Sequence, residues 1–191
     1  MKKLILLSLI LASSNLFSQS FLDRLHLGIK AGANYSDFSN AGFETEGLAG
    51  FHAGVAVALD INERFSIQED FLYSTQGAKL KGGPLDGKEL KLSYAAIPIV
   101  VKYKTSFGLY FEAGPQVGIL VSEDFKTLTH ADFAEKIDAG MVAGIGYQFE
   151  NGLGIGARYY FGLTDVGKLK SASVNTDFQN NSSQVSLFYM F

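Results

Sequence analysis

Eight stretches of this sequence place apolar side chains at every second position, at 25–35, 51–60, 64–75, 91–103, 107–121, 137–149, 153–164 and 184–191. Period two is the signature of a strand with two unlike faces. The connections alternate in length. Ile61-Asn62-Glu63, Lys104-Thr105-Ser106 and Glu150-Asn151-Gly152 are tight, whereas 36–50, 76–90, 122–136 and 165–183 are long and polar. A secreted β-sandwich has these strand signals too, but it gives no reason for so regular an alternation. Short turns on one rim and long loops on the other belong to an outer-membrane barrel. The expected fold is all-β: an eight-stranded antiparallel up-and-down transmembrane β-barrel.

The two faces sort consistently. One parity reads Leu25, Leu27, Ile29, Ala31, then Phe51, Ala53, Val55, Val57, Leu59, and continues through Ile97, Ile99, Val101 and Leu153, Ile155, Ala157, Tyr159, Phe161. This is the expected lipid face. Phe65, Tyr103, Phe107, Tyr147, Phe149, Tyr189 and Phe191 fall near the short-turn rim, and Tyr35, Phe51, Tyr73 and Phe161 near the other. Aromatic girdles at both lipid boundaries are expected of such a barrel. Glu69 is the misfit, outward between Ile67 and Phe71. A bulge or a register slip would turn it away from lipid.

The ends of the sequence carry further signals. Met1-Lys2-Lys3 is basic, 4–11 is almost wholly apolar, and 13–18 is mostly small and polar. This is the plan of a secretory signal peptide, expected at 1–18 and followed by a barrel domain over 19–191. The apolar run is too short to span a bilayer as a helix. Val185, Leu187, Tyr189 and Phe191 form an outward row. The row resembles the terminal signal read by the bacterial barrel assembly machinery, which makes that machinery and outer-membrane lipid the expected partners. The net charge of −3 implies no nucleic-acid partner. There is no Cys, so disulfides and thiolate metal sites are excluded.

The inward parity carries Lys30, Asn34, His52, Gln68, Asp70, Ser74, Tyr94, Lys102, Tyr110, Glu112, Gln116, Asp138, Gln148, Arg158 and Tyr160. Lys30, Lys102 and Arg158 can offset Asp70, Glu112 and Asp138, since buried charges persist when paired. Pairing around the tight turns sets Gly54 opposite Asp70 and Gly144 opposite Arg158. An eight-stranded barrel is just wide enough for side chains to fill it, so a salt-bridged plug is the expected interior. A narrow polar pore is the alternative. Pro98 and Pro115 each remove a ladder donor from adjacent strands, predicting a bulge or weak pairing there. Catalytic signals are sparse. Ser74 and His52 could pair on adjacent strands as nucleophile and base, which keeps a lipid-acting enzyme as a remote alternative. His26, His52 and His130 show no metal spacing. Asp37, Glu44 and Glu46 read as a solvated loop. The expectation is a non-enzyme with no cofactor and no metal.

Several motifs then resemble the PorT-like outer-membrane β-barrel family, common in Bacteroidota. They are Leu27-Gly28-Ile29-Lys30-Ala31-Gly32-Ala33-Asn34, Tyr73-Ser74-Thr75-Gln76-Gly77-Ala78-Lys79, Tyr94-Ala95-Ala96-Ile97-Pro98, Ala113-Gly114-Pro115, Ala143-Gly144-Ile145-Gly146-Tyr147 and Arg158-Tyr159-Tyr160-Phe161-Gly162-Leu163-Thr164. Lys102 and Asp70 stand where the family has a Lys and an acidic residue, with Asp in place of Glu as a departure. The resemblance implies the same barrel in the outer membrane of a Gram-negative bacterium, with short turns periplasmic and long loops extracellular. Some relatives are linked to protein secretion, so secretion-system or envelope proteins are implied as partners. It transfers no active site.

Overall fold

The computed structural model describes residues 22–39, 44–81, 87–123, 135–166 and 178–191. The expected signal segment, His130 and parts of the long connections lie outside them. Eight strands follow in order: β1 (Leu25–Ser39), β2 (Thr45–Asp60), β3 (Phe65–Leu80), β4 (Glu89–Lys104), β5 (Leu109–Glu123), β6 (Ile137–Gln148), β7 (Leu153–Gly162) and β8 (Gln179–Met190). Each pairs antiparallel with its neighbour, and β8 closes onto β1, giving one barrel in sequence order. Pairs such as Ala33↔Val185 zip the closure, and the Phe191 N–H donates to Leu27 O at 2.8 Å. Closure leaves no unpaired edge, the condition for a sheet to sit in lipid.

The strands run further on the long-connection side than the sequence pattern predicts. β2 starts at Thr45, β3 continues to Leu80, and β8 starts at Gln179. These extensions hold polar or small residues on both faces, such as Asp37, Glu46, Gly47, Asn180 and Asn181. Without apolar contrast the period-two signal fades, although backbone pairing continues. β6 and β7 are the exceptions: β6 starts at Ile137 as expected, and β7 ends at Gly162 rather than 164.

The outward face matches the expected parity. Leu27, Ile29, Val55, Ile99, Ile145, Ile155 and Leu187 are all exposed. Aromatic pairs mark both rims: Phe65–Tyr103 at 5.1 Å, Tyr147–Phe149 at 4.9 Å and Tyr189–Phe191 at 5.2 Å on one, Phe51–Tyr73 at 6.0 Å and Tyr159–Phe161 at 4.4 Å towards the other. Such rings sit where hydrocarbon meets headgroups. Glu69 stays on this face, half-buried and registered with Val57 and Ile99. Neither a bulge nor a slip removes it.

The β2–β3 turn corrects one expected pairing. Asn62 Oδ1 accepts the N–H groups of Arg64 and Phe65, both at 2.9 Å, and Asp60 pairs with Ser66. The side-chain cap lengthens the turn, so Gly54 faces Leu72 and Ala56 faces Asp70. A slip of two residues keeps every side chain on its original face, which is why the inside–outside assignment survives. Gly144 does face Arg158. Gly152 takes the left-handed φ expected of it, +87°, and Gly108 does the same at the β4–β5 turn, with φ +96°.

The prolines interrupt the ladders. No pair forms between Glu69↔Ile99 and Leu72↔Ala96 on one side of β4, or between Pro98↔Gln116 and Val101↔Ala113 on the other. The register is unchanged across both gaps, so these are breaks in pairing and not bulges. Bulges lie elsewhere, between Gly47 and His52 on β2 and at Val121 on β5, opposite the step from Ser93 to Tyr94.

Candidate functional site in the barrel interior

Five strands send charged side chains into one buried cluster. From β1, Lys30 Nζ donates to Asp70 Oδ2 on β3 at 2.7 Å. Arg158, on β7, donates through Nη1 to the same oxygen at 3.0 Å and through Nε to Glu112 Oε1 on β5 at 2.7 Å. Gln68 Nε2 donates to Asp70 Oδ1 at 2.6 Å, and Gln68 Oε1 accepts from Lys102 Nζ at 2.6 Å. Asp70 is fully buried, and the other charges are at most 6% exposed. At this burial, unpaired charges would be prohibitive, and the shared carboxylates are what make the cluster tolerable. Glu112 Oε2 and Arg158 Nη2 have no hydrogen-bond partner among the described residues.

Five of the six expected charges meet here. Asp138 does not. It lies towards the long-connection end, accepting from Thr164 Oγ1 at 3.2 Å and Asn180 Nδ2 at 3.3 Å. It opens β6 near that rim, too far along the barrel axis to reach Arg158. The central cluster therefore holds three cations and two carboxylates. Lys102 is the cation of this cluster without an ion pair among the described residues. Its ammonium lies instead over the Tyr110 ring, 4.3 Å from the centroid, with Phe188 at 5.1 Å.

A second polar cluster adjoins the first. Asn34 Nδ2 donates to Phe51 O and Thr75 O, both at 3.1 Å, and to Ser74 Oγ at 2.9 Å. These acceptors fix the amide so that Oδ1 faces His52 Nδ1 at 2.5 Å. Nδ1 must then carry the proton, which leaves Nε2 to accept from the Ser186 hydroxyl at 2.8 Å. The expected Ser74–His52 pair does not form; Ser74 serves Asn34. Ser186 escaped the sequence reading because it lies 134 residues from His52 and approaches only through barrel closure. A Cβ on Gly32 would stand 2.6 Å from the imidazole, so glycine there makes room for the ring. Ser–His–Asn is the order of a nucleophile, a base and its orienter, yet all three are buried, and none lines the mouth cavity described below.

Beyond this layer the interior turns apolar. Phe38, Leu90, Leu92, Tyr94, Val166 and Phe178 pack together, with the Phe38 and Phe178 rings 4.7 Å apart. Asn180 also donates to Gln76 beside them. The cluster closes the long-connection end from within, and the sequence reading missed it because Phe38, Leu90 and Phe178 fell in expected loops. The opposite, short-turn end is open. There a cup of about 860 Å³ is lined by His26, Asp60, Arg64, Gln68, Lys102 and Lys104 among others. Of the acidic loop residues, Glu46 pairs with Lys81 at 3.6 Å, and Asp37 accepts the Phe38 N–H at 2.8 Å. Among the described residues no group of His, Cys, Asp and Glu is placed to hold a metal ion.

A closed eight-stranded barrel with an apolar belt, aromatic rims and a polar, packed lumen defines an outer-membrane barrel protein. The chain belongs to the outer membrane protein beta-barrel domain family, whose match covers residues 17–167. Its fold is similar to that of the outer membrane protein OprG from Pseudomonas aeruginosa, at 12% identity and a TM-score of 0.57, covering 87% of this chain and 95% of that one. Neisserial surface protein A also matches, at 15% identity and a TM-score of 0.49, over 87% and 97% of the two chains. So does Ail of Yersinia pestis, at 15% identity and a TM-score of 0.48, over 87% and 98%. No curated protein matches the sequence.

Proposed function

We propose that this protein is a non-catalytic outer-membrane barrel, plugged to solutes, that serves as a structural element or interaction platform of the envelope. The observation that carries this reading is the double obstruction of the lumen, by the Lys30–Asp70–Arg158–Glu112 cluster and by the Phe38–Phe178 cap. A barrel whose interior is spent on packing offers its surroundings its rims and its outer wall. The motif resemblance to PorT-like barrels favours an accessory part in protein secretion, with short turns periplasmic and long connections extracellular. The outward row Val185, Leu187, Tyr189 and Phe191 on and after β8 supports recognition by the barrel assembly machinery.

Reconstitution in planar bilayers tests the plug. The expected trace is silent, and steady conductance would replace this reading with a narrow pore. The unpartnered Glu112 Oε2 and Arg158 Nη2 favour that second reading, since they are polar sites that water could serve. For partners, crosslinking in native membranes should capture envelope proteins at the rims. Recovery of the barrel alone would reduce the role to a structural one.

A further inference from the structure

We infer that the cup at the short-turn mouth is a binding site for a small soluble oxyanion, a phosphate or carboxylate group, with Lys102, Arg64 and Lys104 as its ligands. The cup is blind, because Lys102 and Gln68, the members of the charged cluster that line it, lie at its inner end, with the rest of the cluster and the apolar cap filling the barrel beyond. β3 and β4 build its cationic wall. Phe65 faces Tyr103 and Ser66 faces Lys102, so the same register sets Arg64 opposite Lys104 at the rim. All of these even-numbered positions have the inward parity, and Arg64, Ser66, Gln68, Lys102 and Lys104 all line the cup. The result is a basic stair that descends from the rim to the floor.

Charge balance says what the stair wants. Lys30 and Arg158 have carboxylate partners within 3.0 Å. Lys102, Arg64 and Lys104 have no carboxylate within 4.0 Å among the described residues; of the three acidic side chains that line the mouth, Asp60 is engaged by His26 at 3.0 Å, and Glu63 and Glu150 stand on the turns without an ion pair to this wall. Lys102 is 5% exposed, yet among the described residues its ammonium has one hydrogen-bond acceptor, the neutral Gln68, and two ring faces. A buried ammonium with N–H donors to spare, beside an open cavity, is a site where an anion gains charge-assisted hydrogen bonds. Arg64 adds a planar fork suited to oxyanion geometry. The cluster's excess of one positive charge would then be neutralised from the cup.

The test uses the full barrel in detergent with inorganic phosphate as probe. Phosphate is compared with chloride at matched ionic strength, by unfolding midpoint and by ³¹P line broadening. Wild type should show saturable binding of phosphate that chloride does not reproduce. Arg64→Gln/Lys104→Gln, at the solvent-facing rim, should weaken it about tenfold or more, as expected for lost charge-assisted hydrogen bonds. Lys102→Gln should abolish it, and Lys81→Gln, at the other end of the barrel, should leave it unchanged. No saturable effect in wild type would overturn the inference. So would equal effects of phosphate and chloride, or undiminished binding in the rim variant even if Lys102→Gln failed to fold.

Discussion

Arg158 reaches across the lumen to Asp70. Its Nη1 lies 3.0 Å from Oδ2, and the two residues sit on β7 and β3, strands on opposite sides of the barrel. The contact is a strut between walls that share no backbone hydrogen bond. Removing one partner of a buried pair costs roughly 3–5 kcal/mol, because the other charge is left uncompensated. Arg158→Ala should therefore lower the unfolding midpoint strongly in far-UV circular dichroism. Lys81→Ala, which breaks only the exposed pair with Glu46 at 3.6 Å, should change stability by about 0–1 kcal/mol. Similar midpoints for the two variants would mean that water enters the lumen and screens the cluster, and bilayer recordings should then show current.

The Asn34–His52–Ser186 chain makes a prediction about a proton. In wild type, ¹⁵N chemical shifts of neutral His52 should report a protonated Nδ1 and a bare Nε2, the tautomer that Asn34 dictates. Asn34→Leu should remove that preference. It should also cost about 1–3 kcal/mol, the range for buried polar groups left without partners. Because Ser186 is enclosed, a fluorophosphonate should fail to label it in the folded barrel; stoichiometric labelling would reopen the enzyme reading.

Glu69 is the one Asp, Glu, Lys, Arg or His among the described residues that faces outward between the aromatic rims. Its neighbours across the strands are Val57 and Ile99, and the ladder breaks immediately beyond the Ile99 pair. Lipid-facing Arg or Lys at the midplane costs about 2–4 kcal/mol and carboxylates less. Glu69→Leu should thus raise the unfolding free energy in lipid vesicles by about 1 kcal/mol. A loss of stability would indicate that the carboxylate has a partner in the membrane.

How much of this was legible in the sequence depends on which force places a residue. Lipid contact imposes period two, so the outward rows at Leu27 to Ala31 and Leu153 to Phe161 were readable, and so was the inward parity of Lys30, Asp70, Lys102, Glu112 and Arg158. Parity gives a face and not a height. Asp138 shares the face but lies near the far rim, which is why it was grouped with the wrong partners. The Ala56↔Asp70 pairing depended on the Asn62 cap, a side-chain contact that no periodicity reveals. Ser186 and Phe178 needed the β8–β1 closure and the extended strands before their partners came into view.

Orientation is the last expectation to test. The short connections are capped locally, by Asn62 Oδ1 at one turn and by Gly108 and Gly152 at the others, so they need no further contacts to hold their shape. The long connections join strands that already extend past the aromatic rim, as β3 does in running to Leu80 beyond Tyr73. Extended strands and long connections suit the side that meets the outside of the cell, whereas tight turns suit the periplasmic side, which stays behind when the barrel inserts from the periplasm. An epitope inserted between Gly82 and Gly83 should accordingly be labelled by antibody on intact cells. The same epitope placed within Ile61-Asn62-Glu63 should be labelled only after the outer membrane is permeabilised. If intact cells expose the second tag and hide the first, the barrel is inverted, and the basic cup at the short-turn mouth opens to the outside of the cell.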